Sequence, residues 1–377
     1  MVDSKKQLGL ICTIAIWFWP AVEPTAAKLS WLEQIEVETF AELREVERFQ
    51  LKAAEAFYTK REFAAAAAEY EKFITLYERS PGAPYAQLMW SHCQVRQRKV
   101  YTAIRDGFRS VIDYWPESRE AKLSAYLIGR SYKSVGEVKQ ADTAYGKAIT
   151  AHPDDHVAVL SKWDMAEIAH IRKDTQRLEQ VWSDLVFNTK LNKQNRSYVE
   201  RAAQALAKHH FAGADFAKAR KALEVPYSDG AVLDAIYQNA KGAISRLCDN
   251  DPTRRSGEQL ADRIITLLLD ETHNIQPSGN GTDQIRELHR RAARLHERAG
   301  RDLDVVNTYE RLAKRIGMDD GVRGSIAAWH RAKKRHPKAR ELYAKFEDKT
   351  DSLIRIADTW LCLLYTSDAA DDTPCVA

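Results

Sequence analysis

The sequence predicts an all-α protein, folded as a right-handed α-solenoid of about seven to eight antiparallel helix hairpins. Three observations lead there. Glycine (16) and proline (11) are sparse among the 377 residues, well under the roughly 7% and 5% of an average protein. Strand-like alternation closed by tight hairpin turns does not recur, and Asp229-Gly230 sits between helical patterns. The third is a spacing. In "IGRSYKSVGEVKQADTAYGKAITAHP" (128–153), Gly129 and Tyr132 share one face of a first helix, and Ala141, Tyr145 and Ala148 share one face of a second. Small side chains that face each other let two helices approach closely, while a ring from each fills the space a turn away. Gly136 can end the first helix and Pro153 stops the second.

From the N-terminus, residues 1–27 read as a secretory signal. Lys5-Lys6 precede an apolar stretch from Leu8 to Val22, and Thr25-Ala26-Ala27 suits cleavage before Lys28. The apolar run is shorter than the roughly 20 residues of a membrane span, so no integral span is expected after cleavage. Export to the periplasm or cell envelope follows as the expectation.

Residues 28–228 carry about five hairpins on the same ruler. It matches at Ala54, Phe57, Ala66, Tyr70 and Phe73, and more loosely at His92, Val95, Ile104, Phe108 and Val111. Beyond the unit that begins at Gly129, it recurs from Ala166 to Leu185 and from Ala207 to Pro226. Residues 229–283 read as a degenerate hairpin whose turn is lengthened by "CDNDPTRRSG" and followed by a second loop, "NIQPSGNGTD". Two further hairpins, with leading small residues Ala293 and Ala327, fill 284–360. The stretch 361–377, "LCLLYTSDAADDTPCVA", breaks the pattern and resembles translated sequencing-adapter read-through, so it is expected to be a non-native, disordered tail.

Chemistry is sparsely encoded. Net charge is +4, from 57 basic and 53 acidic residues. The bases concentrate between Asp283 and Lys345 without the interleaved aromatics that base stacking needs, so no nucleic-acid partner is expected. With the two ends set aside, Cys93 and Cys248 remain, each expected as a small buried apolar residue. His210, His296 and His330 fall in the large-residue slot of the repeat, no zinc-box spacing occurs, and no nucleophile elbow or phosphate loop is present. Asp154-Asp155 and Asp319-Asp320 stand where helix capping is their ordinary role. No catalytic residue, metal or cofactor is assigned.

The unit with Gly129, Tyr132, Ala141, Tyr145, Ala148 and Pro153 resembles the tetratricopeptide repeat (TPR) family. The hairpin ends "LYERSPGAPYAQ", "DYWPESREAK" and "AHPDDHVA" are similar to those of exported bacterial cell-envelope members, the outer-membrane assembly lipoproteins and the Tol-Pal coordinator. The resemblance spans roughly 30–350. It implies a concave groove lined by the first helix of each hairpin, at fixed offsets from the small marker: Ala86, Met89, Cys93 and Arg96, then Leu123, Tyr126, Arg130 and Lys133, then Leu160, Trp163, Glu167 and His170. Met89, Arg96, Tyr126, Arg130, Lys133 and Trp163 are the candidate partner-binding residues. A non-enzymatic scaffold that grips a protein or peptide partner is the expected function. The alternatives are the helical accessory region of a larger, truncated enzyme or secretion component, and a self-associating structural repeat.

Overall fold

A computed structural model describes residues 29–368. The expected signal at 1–27 and residues 369–377 of the tail lie outside the described residues. Every regular element among the described residues is helical. The chain divides into two compact units, one running through Ala148 and the other from Ile149.

In the first unit, a single 3₁₀ turn (Trp31–Glu33) and the short α1 (Val37–Glu42) lead into three hairpins. The first is α2 (Glu45–Thr59) with α3 (Phe63–Leu76). In the second, α4 (Ala83–Arg96) is followed by α5 (Val100–Thr102), a π-helical stretch (Ala103–Phe108) and α6 (Arg109–Tyr114). The third is α7 (Arg119–Ser134) with α8 (Val138–Ala151).

The small-and-large ruler is the packing. Ala54, Ala66, Tyr70 and Phe73 are buried, as are Ala141, Tyr145 and Ala148. Gly129 is required by close approach, because a Cβ there would stand 2.5 Å from Cδ1 and Cε1 of Tyr145. Gly136 ends α7 as expected, at φ +79°.

The second unit continues with α9 (His156–Ile171), α10 (Thr175–Phe187), α11 (Arg196–Ala212) and α12 (Phe216–Glu224). Then come α13 (Asp229–Asp249), α14 (Asp251–His273), α15 (Asn280–Arg298), α16 (Asp302–Ile316), α17 (Asp320–Ala332), α18 (His336–Tyr343) and α19 (Lys349–Asp368). Asp155 and Asp319 cap α9 and α17 through their side chains, accepting from the backbone N–H of Val157 and Val322. Asp320 instead accepts from the backbone N–H groups of Glu347 and Asp348, tying α17 to the turn after α18.

Two expectations are corrected. The turn expected across 248–257 is confined to Asn250, and its residues form the last turn of α13 and the first turns of α14. Pro252 sits at the start of a helix, where its missing N–H costs nothing. Gly257 lets α14 pass close to α13, since a Cβ there would meet Cys248 Sγ and Leu247 Cβ at 2.8 Å. At the other end, α19 runs unbroken through Leu361 to Asp368, so the helix outlasts the boundary expected before Leu361.

Candidate functional site

The turns of the hairpins give an independent measure of register. Arg61, Arg98, Gly136, Lys173, Ala214, Gly300 and Lys334 all have positive φ, and each stands seven residues after a small residue: Ala54, Ser91, Gly129, Ala166, Ala207, Ala293 and Ala327. The marker of the second hairpin is therefore Ser91, not His92. Ser91 is fully buried, and a Cβ on Gly107 would collide with its Oγ at 2.2 Å. The π-helical stretch absorbs one extra residue, which carries Phe108 and Val111 into the slots filled by Tyr145 and Ala148 in the third hairpin. Both are fully buried.

That shift corrects the candidate site. One residue turns an α-helix by about 100°, so Met89, expected on the groove, is fully buried in the cluster that holds Leu51, Tyr70 and Cys93. Tyr126 is also buried, its ring 5.9 Å from that of Tyr145. Trp163 belongs to the second unit, half-buried against Tyr198 (5.5 Å between ring centroids) and covered by the Arg201 guanidinium at 4.3 Å. Lys133 is half-buried on α7. Arg96 and Arg130 are exposed and meet at one cavity.

This cavity, of about 650 Å³, lies within the first unit, lined by Ser30, Leu32, Glu33, His92, Val95, Arg96, Phe108, Leu127, Arg130, Ser131 and Ser134. Glu33 is its acidic member and is buried. Its Oε1 accepts from the Tyr58 hydroxyl at 2.6 Å and lies 3.6 Å from Arg96, while its Oε2 accepts from the Ser30 N–H at 3.0 Å and the Ser30 hydroxyl at 2.7 Å. Burial opposes ionisation of the carboxyl, but the hydrogen bonds from Tyr58 and Ser30 outweigh it and hold the pKa down to about 2.

His92 moves the other way. Burial pushes its pKa down to about 4 against the pull of Glu33, and Arg130 and Arg96 add to the depression. Its ring stands edge-on to Phe108 at 5.7 Å, and its Nε2 is buried without a hydrogen-bond partner. Cys93 behaves as the buried apolar residue expected, with burial raising its thiol to about 12. Deeper in the unit, the Tyr85 hydroxyl lies within hydrogen-bond distance of both Glu55 Oε1, at 2.6 Å, and the Glu33 carbonyl, at 3.0 Å.

The arrangement has what an anionic ligand needs: two guanidinium groups, the Ser131 hydroxyl, and apolar walls from Leu32, Val95 and Leu127, while the Ser134 hydroxyl is spent on the Ser131 carbonyl. It lacks the convergent ligands of a metal site, and no three His, Cys, Asp or Glu side chains are grouped to hold an ion among the described residues.

Sequence reasoning missed Glu33, Tyr58 and His92, and also Arg119, whose guanidinium donates to the carbonyls of Trp31 and Gln34 on either side of Glu33. Offsets taken from Ala54 would have selected Glu55 and Tyr58, and offsets from Ser91 would have selected Tyr85 and His92. Glu33 and Arg119 lie outside the ruler.

The basic segment of the second unit is arranged differently. Arg286 pairs with Asp283 and Asp319, Arg291 with Asp234 and Glu287, Arg301 with Asp262, and Lys333 and Arg335 with Asp302. A larger cavity of about 1080 Å³ on α13, α14 and α15 mixes Arg220 and Arg291 with Glu224, Asp270, Glu271, Asp283 and Glu287. Its charges already compensate one another.

No family model and no curated protein matches the chain. Among solved structures, it is similar to a tetratricopeptide repeat protein from Parabacteroides merdae, at 12% identity over 84% of this chain and 100% of that one, with a TM-score of 0.34. The C-terminal part of a TPR repeat-containing protein from Cytophaga hutchinsonii matches at 11% identity over 73% and 98%, TM-score 0.38. The TPR2AB domain of yeast Sti1, in complex with pHSP90, matches at 15% over 80% and 98%, TM-score 0.30. The all-α hairpin fold rests on the helices themselves. No described helix is long and apolar enough to cross a membrane.

Proposed function

We propose that the chain is a non-enzymatic protein-interaction scaffold of the cell envelope, and that it binds an extended peptide segment of a partner in the cavity of the first unit. The observation that carries this is the convergence of Arg96 and Arg130 on a half-apolar cavity whose one internal carboxylate, Glu33, is already committed to Tyr58 and Ser30. Arg130 has no ion-pair partner among the described residues, so its charge is available to a ligand.

Envelope placement follows from the signal-like residues 1–27. N-terminal sequencing of the mature protein after cell fractionation tests it, and a protein that retains Met1 in the cytoplasm would remove that part of the reading.

The binding role is tested by capturing partners on the full chain, on an Arg96→Ala/Arg130→Ala variant and on a Trp163→Ala variant, with helical circular dichroism checked for each. The expected result is a specific partner lost from the double variant and kept by Trp163→Ala. The same partner on all three chains would sink the assignment.

A further inference from the structure

The segment before the first hairpin does more than lead into it. Residues 29–36 touch the first helix of all three hairpins of the first unit: α2 through the Tyr58 hydroxyl on Glu33, α4 through the Tyr85 hydroxyl and Arg96, and α7 through Arg119. Arg119 donates to the carbonyls of Trp31 and Gln34, both at 2.9 Å, and its Nε lies 3.5 Å from Glu36. A segment that crosses successive first helices through one 3₁₀ turn, fixed by a buried carboxylate and by main-chain carbonyls, makes the contacts a short peptide ligand would make.

The attachment has a weak side. Leu29 and Ile35 are only partly buried against the core, and the link to the first hairpin is α1, which buries no side chain and leaves Val37 79% exposed. Beyond the segment, Phe40 and Leu43 fix the chain to the core, so residues 29–36 themselves are held by the buried Leu32 and Glu33 and by their polar contacts. Beside Glu33, the cavity continues to Arg130 and to the Nε2 of His92, to neither of which the segment gives a hydrogen bond. A longer ligand could satisfy both.

We propose that residues 29–36 are a displaceable strap in the ligand groove of the first unit, and that the partner segment replacing it is a peptide that presents a carboxylate between apolar side chains, in the manner of Leu32-Glu33-x-Ile35. This rests on the binding role proposed above and adds the ligand's chemistry and its competitor. An incoming peptide gains by exchange, because its carboxylate takes over Tyr58 and Arg96 while a second acidic group reaches Arg130.

The test uses a fluorescent synthetic peptide with the sequence of residues 29–36, added to full chains and followed by anisotropy. The wild-type chain, its groove filled, should bind it at least tenfold more weakly than a Glu33→Gln chain, in which the strap has lost its anchor. The same peptide with glutamine in place of its glutamate should not bind the Glu33→Gln chain. Leu32→Ala, which weakens the strap's own buried apolar hold and leaves every groove residue in place, should raise peptide affinity in the same direction and serves if Glu33→Gln fails to fold. Equal affinity of all chains for the peptide, no binding to any of them, or no preference for the glutamate peptide would overturn the proposal. The partner's dependence on Arg96 and Arg130 is read separately in the capture experiment. A strap that fails here therefore leaves the binding role standing, and a binding role that fails there leaves the strap a feature of the fold.

Discussion

The second and third hairpins are neighbours built to one ruler, and they solve the same packing problem in opposite ways. In the third, the first helix offers a glycine, and a tyrosine from the second lies across it. In the second, the first helix keeps a side chain at Ser91 and the facing helix withdraws its own, presenting Gly107 and taking up an extra residue in a π-helical stretch. Close approach needs one absent side chain per contact, and either helix can supply it. The cost of the second solution is a change of register in the facing helix; in the first helix, counted from Ser91, a histidine, His92, takes the groove position that Arg130 holds in the third hairpin. One position became a half-buried base with its Nε2 out of solvent and the other an exposed, permanent cation.

The contrast is broken most severely at Gly129. Gly129→Val drives a β-branched side chain into the Tyr145 ring and should cost about 3 kcal/mol, the upper range for overpacking a core. Ser91→Ala at the equivalent place removes only a hydroxyl that donates to the Gln87 carbonyl and should cost about 1 kcal/mol. Urea denaturation followed by circular dichroism compares them, and equal losses would mean that the two contacts are not equivalent in register.

Next in size is the pH response of His92. The groups that face it are Glu33, Arg96 and Arg130. Its folded pKa of about 4 lies below the ordinary 6.5, so the unfolded chain takes up the proton first. The stability this group contributes is complete above about pH 6.5 and falls as the pH drops towards 4, by up to about 3 kcal/mol. Glu33, depressed to about 2, adds a loss of the same sign from the ordinary carboxylate range downwards. His92→Gln should reduce the fall in melting temperature between pH 6.5 and 4 relative to wild type, leaving the smaller part due to other burial-depressed histidines such as His289 and His296 and leaving the lower step. An unchanged profile would show that the imidazole is not the group that titrates.

Much of this fold was legible in the sequence, for a physical reason. Core positions of a helix hairpin are local, so Ala54, Tyr70, Gly129, Tyr145, Ala207, Leu223, Ala339 and Tyr343 could be chosen by spacing alone, and all are buried. The candidate site was less legible. Its positions were counted from the small marker, and a count transmits any error in the marker to every residue after it. The second hairpin offered two adjacent candidates, Ser91 and His92, and the π-helical insertion made the wrong one fit the later slots. Glu33 and Arg119 were beyond reach because their contacts are long-range, Glu33 with Tyr58 and Tyr85, and Arg119 with the carbonyls of Trp31 and Gln34 across 88 and 85 residues of chain, and no periodicity encodes them. The turn between α13 and α14 misled in the opposite sense, since Asp251-Pro252 is a turn signal that here starts a helix.

The smallest expected effect bears on the feature that exposed the register. At the turn of the third hairpin Gly136 takes φ +79°, and at the turn of the second Arg98 takes φ +64°. An L-residue pays roughly 1 to 2 kcal/mol for that conformation and glycine does not, while glycine loses more freedom on folding by about 0.5 to 1 kcal/mol. Gly136→Ala should therefore destabilise by about 1 kcal/mol, and Arg98→Gly should stabilise by about 0.5 kcal/mol, the two exchanges differing in sign because the backbone is already left-handed at both. Thermal melts of the two variants decide it. If Arg98→Gly destabilised as Gly136→Ala does, the Arg98 side chain would be contributing contacts of its own, and the two turns would not be the same structural position.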